Sequence, residues 1–222
     1  MDRPSRVLLA VPAIASLVFL SVWAARWGMA DALAYTATRE INTWTASGVT
    51  PGIDTWMWVR SDLERAGKLS PSDPAVPELL GVLHLQRAGR AEFSELALEH
   101  FARAMELRPS SPYTWANVAE ARYRLGMTQA PFERILVVTQ RLGPSEPETQ
   151  RLVAELGLAM WDEIRPETQG AVMAAVSAGM RRNPLEMLQI SERRGRLHVA
   201  CKHVPGDKRL RETKWVQACA EL

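Results

Sequence analysis

Residues 97–125 read ALEHFARAMELRPSSPYTWANVAEARYRL, and this stretch decides the fold. Its first half carries Ala97, Phe101, Ala104 and Pro109 at spacings of four, three and five residues. Such spacing predicts a helix with small residues where two helices touch, an aromatic ring that fills the groove and a proline that ends the helix. The first half is therefore predicted to be the second helix of a helical hairpin.

The second half of the stretch predicts the first helix of the next hairpin. The residues of its apolar stripe are Trp115, Val118, Ala119 and Tyr123. Gly126 follows at a position where glycine commonly ends a helix. A short turn between the two halves would join the hairpins.

Both halves resemble the tetratricopeptide repeat (TPR) family, in which pairs of antiparallel helices stack into a solenoid. The residues named above match the family patterns A-x3-F-x2-A-x4-P and W-x2-L-G. The chain departs from the family at Arg122, where an aromatic residue is usual, because Tyr123 comes one position later. The resemblance implies an all-α, TPR-like solenoid.

Degenerate copies of these patterns flank the stretch on both sides. They are Leu80 with Gly81, Leu158 with Ala159, and Ala171 with Ala175 and Ala178. Pro131 occupies the position of the small residue in the middle repeat, and extra residues lengthen the period. We count three hairpins, which is about the smallest number that makes a stable array.

A 19-residue run without charge, VLLAVPAIASLVFLSVWAA, occupies residues 7–25 behind Arg3 and Arg6. A membrane-spanning helix needs roughly 20 apolar residues, and Trp23 and Trp27 suit a membrane interface. We therefore expect an uncleaved, single-pass anchor, with the bulk of the chain outside the cytoplasm. A cleaved signal peptide that ends at the alanines closing the run, or a buried soluble helix, are the alternatives.

The predicted organisation has four parts. They are a transmembrane helix at 1–28, a helical connector at 29–72, the TPR-like repeats at 73–184 and a basic C-terminal tail at 185–222. The first part of the connector is predicted to continue the membrane helix to Gly48, where glycine commonly ends a helix. A second helix is predicted to be capped by Asp54, with Trp56, Val59 and Leu63 as its apolar stripe. Trp56 and Trp58 are interpreted as packing residues rather than as a ligand site.

The tail carries both cysteines and much of the positive charge. Between residues 181 and 214 there are ten basic residues and four acidic ones. This excess could bind an anionic polymer, a lipid headgroup or an acidic patch on a partner, and the alternative is a solvated helix face. Cys201 and Cys219 are 18 residues apart and are predicted to form a disulfide in an oxidising compartment. The alternative is a metal site with His198 and His203, whose spacing lacks the usual ligand pairs.

The sequence contains no catalytic or cofactor motif. It has no haem-attachment site, nucleophile elbow, phosphate-binding glycine loop or zinc-protease helix. The formal net charge of +2 and the lack of DNA- or RNA-binding patterns argue against a nucleic-acid partner. We therefore predict a non-enzymatic protein without cofactor or metal.

The resemblance to TPR arrays implies a partner-binding face on the first helix of each hairpin. On the helix of the second half these residues are Tyr113, Asn117, Glu120 and Arg124. Asn117 and Arg124 can hydrogen-bond an extended peptide or a carboxylate. The alternative is that the four form only the polar face of a surface helix.

The whole chain resembles small membrane-bound TPR-type proteins encoded with bacterial exopolysaccharide synthesis and export genes. The segments that carry this resemblance are RPSSPYTWANVA (108–119), LGPSEPETQ (142–150), LGLAMWDEI (156–164) and RRGRL (193–197). It implies a single-pass protein of a bacterial inner membrane, with its C-terminal domain in the periplasm, that acts as a scaffold and binds envelope or inner-membrane proteins of a polysaccharide pathway. Alternatives are an adaptor for pilus assembly or cytochrome maturation, and a polysaccharide-modifying hydrolase with two converging carboxylates.

Overall fold

The computed structural model describes residues 3–87, 89–204 and 214–220. Within these ranges the regular secondary structure is α-helical, and no strand occurs there. The all-α fold class is therefore confirmed. The chain divides into two compact units, Met1–Arg87 and Ala88–Leu222.

The described helices of the first unit are α1 (Arg3–Ser47), α2 (Ile53–Leu69) and α3 (Ala75–Leu85). Helix α1 is continuous for 45 residues and contains Pro12 without ending there. It runs through the predicted boundary at residue 28 and ends at Gly48, whose φ of 65° a glycine adopts without strain. Gly48 is the stop that the sequence indicates.

Helix α1 has two different halves. Every residue from 11 to 29 is exposed. From Ala30 onward a stripe is buried at alternating spacings of four and three residues, and it consists of Ala30, Ala34, Ala37, Ile41 and Trp44. In the described part of the chain, α1 is the one helix long and apolar enough to cross a membrane.

The second half of α1 packs against α2 and α3, which also pack against each other. The predicted stripe of α2 is confirmed, since Trp56, Val59 and Leu63 are all buried. The indole Nε1 of Trp56 donates a hydrogen bond to the Leu83 carbonyl at 3.0 Å. This bond satisfies the polar atom of a buried ring and ties α2 to the end of α3.

Two sequence predictions about α2 are wrong. Asp54 does not cap the helix, because α2 begins after Gly52 and Asp54 lies in its first turn without a side-chain cap. Trp58 is not a packing residue, because it is 50% exposed. Trp58 is two residues from the buried Trp56, so the 3.6-residue period turns the two rings away from each other.

The described helices of the second unit are numbered along the chain. They are α4 (Ala91–Leu107), α5 (Pro112–Arg124), α6 (Ala130–Leu142), α7 (Pro147–Ala159), α8 (Pro166–Arg182), α9 (Pro184–Arg193), α10 (Leu197–Cys201) and α11 (Lys214–Ala220). Pairs α4–α5, α5–α6 and α7–α8 pack side by side. Contacts between next-but-one helices, α5–α7, α6–α8 and α7–α9, stack these pairs into a helical array. The predicted first hairpin is divided between the two units, because α3 belongs to the first and α4 to the second.

The spacing that predicts α4 is confirmed in detail. Ala97, Phe101 and Ala104 have no exposed surface. On α5, Ala119 is likewise fully buried, and Gly126 ends the helix region with a φ of 69°. Trp115 is only half-buried, and its indole donates a hydrogen bond at 2.8 Å to the Pro109 carbonyl in the turn between α4 and α5.

The third hairpin brings α7 and α8 into close contact. A Cβ atom on Gly157 would lie 2.1 Å from a methyl carbon of Val172, so only glycine fits at this position. Ala175 is buried as predicted, whereas Ala171 and Ala178 are half-buried. Val172 is fully buried against Gly157, so it occupies the contact position that the repeat pattern assigns to Ala171.

Candidate functional site

The four residues predicted to bind a partner share one face of α5. Ser111 caps this helix by accepting a hydrogen bond from the Thr114 N–H, and Pro112 occupies its first position. Tyr113 and Arg124 are exposed, and Asn117 and Glu120 are half-buried. Their binding role stays a prediction, but their side chains reach solvent.

Three of these four residues already contact other side chains. Glu120 and Arg124 form an ion pair one helical turn apart. The hydroxyl of Tyr113 donates to the carboxylate of Glu146, which immediately precedes α7. Asn117 lies between these contacts on the same face, at a position where its amide can take or give hydrogen bonds.

Helix α7 continues the alternation of charge next to α5. Arg151 donates to Glu148 and, at 3.1 Å, to Glu155. The hydrogen bond to Glu148 raises the pKa of Arg151 against the lowering effect of burial, and the charges of Glu148, Glu155 and Glu120 raise it further. Glu120 on α5 therefore contributes to the electrostatic environment of Arg151 on the neighbouring helix α7.

These charged contacts continue to the end of α9. Glu155 accepts a hydrogen bond from Arg194 at 3.1 Å and lies 3.6 Å from a guanidinium nitrogen of Arg193. We define the charged row as Arg124, Glu120, Arg151, Glu155 and Arg194. Its signs alternate across α5, α7 and the end of α9, on helices that begin successive hairpins.

Sequence reasoning found only the α5 part of the charged row. The spacing of Glu148, Arg151 and Glu155 follows the three- and four-residue rule for helical ion pairs, so this local signal was present. The contact of Glu155 with Arg194 joins residues 39 apart and had no local signal. Packing of α7 against α9 creates it.

The basic tail uses part of its charge on internal contacts. Arg196 pairs with Asp162, and Lys214 pairs with Glu192 at 2.7 Å. Hydrogen bonds from Lys214 and Trp215 lower the pKa of Glu192, although burial acts in the opposite direction. Lys208, Arg209 and Arg211, which contribute to the predicted basic stretch, lie outside the described residues.

The predicted disulfide is confirmed between Cys201 and Cys219, whose Cα atoms are 5.3 Å apart. It joins α10 to α11. The two sulfurs are bonded to each other, so neither is a thiolate that can ligate a metal with His198 or His203. Of the two interpretations of these cysteines, the structure supports the disulfide and not the metal site.

The carboxylate of Glu133 forms a second, buried polar site in the repeat unit. It accepts hydrogen bonds from the Arg165 N–H and the Thr168 hydroxyl, both at 2.8 Å, where α8 begins. The Nε of Arg165 approaches it at 3.2 Å. Burial raises the pKa of Glu133, but the hydrogen bonds from Arg165 and Thr168 outweigh it, and the pKa is lowered.

No protein-family model matches the chain, and a comparison with curated proteins also finds no match. The resemblance to TPR proteins therefore rests on the residue patterns and on the packing of the hairpins.

Proposed function

We propose that this protein is a membrane-anchored scaffold that supports the assembly or export of an exopolysaccharide by binding another envelope protein. The binding surface is the charged row together with Tyr113 and Asn117. The protein acts through this contact and not through chemistry of its own. It is a TPR-like adaptor in this proposal.

The observation that carries the proposal is a charged, accessible row on helices α5, α7 and α9 of a stacked helical array. The arginine–carboxylate pairs of the charged row are partly exposed, and an ion pair in contact with solvent is worth less than about 1 kcal/mol, so one partner can replace another at low cost. A peptide with its own carboxylates and amides can therefore replace the internal partners of Arg124 or Arg151. If the α5 residues formed only the polar face of a surface helix, we would not expect the row of charges to continue onto α7 and α9.

The proposed location is a bacterial inner membrane with the repeats in the periplasm. Helix α1 is long and apolar enough to cross a membrane, and Arg3 and Arg6 precede its apolar run. The disulfide suits an oxidising compartment. A fusion of alkaline phosphatase after Leu222 is expected to be active, and a fusion active only with a cytoplasmic reporter would contradict this topology.

Photocrosslinking in cells tests the binding surface. A photoreactive amino acid at position 117 should capture an envelope protein of the polysaccharide pathway. The matched control is the same amino acid at Arg134, which is exposed on α6 and lies outside the charged row. Equal capture from both positions, or unchanged secreted polysaccharide after deletion of the gene, would contradict the proposal.

A charge swap separates binding from stability. Arg124→Glu alone should weaken capture at position 117 and place two carboxylates one turn apart, at a cost of roughly 0.2–0.5 kcal/mol. Glu120→Arg combined with Arg124→Glu restores an internal ion pair in reversed order. If the double variant regains the fold but not the capture, Arg124 contacts the partner; full recovery of capture would assign the pair a structural role only.

The identity of the captured protein distinguishes the remaining alternatives. A pilus or cytochrome-maturation component would replace the polysaccharide pathway while keeping the scaffold role. A hydrolase would instead show turnover of polysaccharide by the purified chain alone, with dependence on one acidic residue.

A further inference from the structure

The first unit contains an open cleft between α1 and the turn that joins α2 to α3. Its volume is about 480 Å³, and its lining residues are Trp27, Gly28, Ala30, Asp31, Ser70, Ser72 and Asp73. The lining includes two carboxylates, two hydroxyls and one indole, and no basic side chain. Its chemistry therefore suits a small cation.

The cleft lies where α1 changes from an exposed apolar helix to a packed one. Residues 11–29 are all exposed, and Ala30 is the first residue of the buried stripe. The rings of Trp23 and Trp27 lie with their centroids 4.3 Å apart and are about half exposed. If α1 crosses a membrane, these amphipathic rings mark the headgroup layer, and the cleft opens into that layer.

The polar atoms of the cleft are available to a ligand. Asp31 is exposed and has no ion-pair partner in the described part of the chain. Asp73 uses one carboxylate oxygen to accept the Ala75 N–H at 2.9 Å, which leaves its second oxygen. The Trp27 ring adds a π face of the kind that attracts ammonium groups.

A basic residue lies on the side of the cleft toward the exposed apolar half of α1, since Arg26 immediately precedes the lining residue Trp27. Arg26 is exposed and shares a face of α1 with Ala30, because the two are four residues apart. A guanidinium at this level suits a phosphate. Going outward from the membrane, the helix thus presents a positive group and then a negative cleft. A zwitterionic lipid headgroup presents a negative phosphate and then a positive ammonium, so the two charge patterns are complementary.

We propose that this cleft binds the ammonium of an ethanolamine lipid headgroup, while Arg26 contacts its phosphate. A primary ammonium donates three hydrogen bonds, and the carboxylates and hydroxyls of the cleft accept them. A choline group has no N–H and forms only the contact with the indole. The cleft therefore selects ethanolamine over choline, and this inference rests on α1 crossing the membrane.

Native mass spectrometry of the full chain tests the selection. The protein is purified in detergent and mixed with equal amounts of phosphatidylethanolamine, phosphatidylcholine and phosphatidylglycerol of the same acyl chains. About tenfold more phosphatidylethanolamine than phosphatidylcholine should be retained, which is the ratio that about one charge-assisted hydrogen bond supplies. Equal retention of the three lipids would overturn the proposal.

Two matched variants assign the selection to the cleft. Asp31→Asn combined with Asp73→Asn removes both charges, and the amide oxygen of the new side chain at position 73 can still accept the Ala75 N–H, so the start of α3 is kept. This double variant should retain ethanolamine and choline lipids equally. Asp54→Asn changes an exposed aspartate in the first turn of α2 and should keep the tenfold ratio. An unchanged ratio in the double variant would overturn the assignment.

Two further measurements separate headgroup recognition from the anchor itself. Free O-phosphoethanolamine should displace the retained lipid more effectively than free phosphocholine, and equal displacement by both would overturn the proposal. Recovery of the full chain in the aqueous fraction of cells would contradict the membrane premise. A chain that stays in the membrane without lipid preference would overturn the cleft proposal alone.

Discussion

The α6–α8 contact and the charged row each contain a carboxylate surrounded by donors, but these carboxylates are held differently. Glu133 is 7% exposed and accepts a main-chain N–H and a buried hydroxyl, neither of which can swing away. The side chain of Glu155 is 23% exposed, and its partners are long arginine side chains. The first arrangement stabilises the packing of two helices, and the second leaves partners that a ligand can replace.

Of the substitutions that test this difference, Glu133→Ala should lower the free energy of unfolding most. The change leaves the Thr168 hydroxyl and the Arg165 N–H without their acceptor, and each buried donor left unsatisfied costs about 1–3 kcal/mol. Thermal unfolding of the full chain in detergent, followed by circular dichroism, measures the loss. A loss below about 1 kcal/mol would contradict the structural role of the α6–α8 contact.

The pH dependence of the same site has a definite sign. The pKa of Glu133 is lowered from its ordinary value of 4.5 in the folded chain. A lowered folded-state pKa contributes stability above the unfolded-state pKa, and this contribution disappears as pH falls through the folded-state value. The difference in stability between the wild type and Glu133→Gln should therefore be constant from pH 7 to about pH 5 and shrink below pH 4.5. A difference that grows in acid would contradict the lowered pKa.

Removal of the disulfide tests whether the surface ion pairs alone keep α11 packed. Replacing Cys201 and Cys219 with serine should remove about 3 kcal/mol of stability, because the bond closes a loop of 18 residues. The remaining contacts of α11 include those of Lys214 and Trp215 with Glu192. Hydrogen exchange should increase in α11 and stay unchanged in α5–α8. Unchanged exchange throughout would show that the surface contacts suffice.

The smallest effect is expected for Glu155→Gln. Its ion pairs with Arg151 and Arg194 are solvent-accessible, so the change should alter the free energy of unfolding by less than about 1 kcal/mol. Its matched control is Glu133→Gln, measured by the same unfolding curves. If the two glutamine variants lost equal stability, the distinction between a structural carboxylate and an exchangeable one would fail.

The sequence predicted the parts of the fold that depend on local spacing. Ala97, Phe101 and Ala104 are buried at the positions that their pattern indicates, and the glycines at 48 and 126 adopt positive φ values where helices end. The disulfide was predictable because the chain has two cysteines and a predicted exported domain. Each of these signals comes either from residues close together in the sequence or from a residue type, such as glycine or cysteine, that has few structural roles.

Long-range polar contacts were not predictable in the same way. Glu133 meets Arg165 and Thr168 only because α6 packs against α8, and its sequence neighbours resemble those of any surface glutamate. The same limit applies to the candidate site. Its α5 face followed from spacing, whereas the contribution of Arg194 depends on how α9 packs against α7.

The continuity of α1 couples the rotation of its packed C-terminal half to that of its exposed N-terminal half. A flexible linker would let residues be inserted near position 28 without consequence, but an α-helix turns by about 100° and rises about 1.5 Å with each residue. One inserted residue would thus swing the turn that contains Ser70 and Asp73 about a quarter of the way around the helix axis, away from the arginine at position 26. Seven inserted residues would return this turn to within about 20° of its original orientation around the α1 axis, shifted by roughly 10 Å along that axis. If Arg26 and the cleft bind one headgroup together, the length of this segment can change without loss of binding only in steps close to whole turns of the helix.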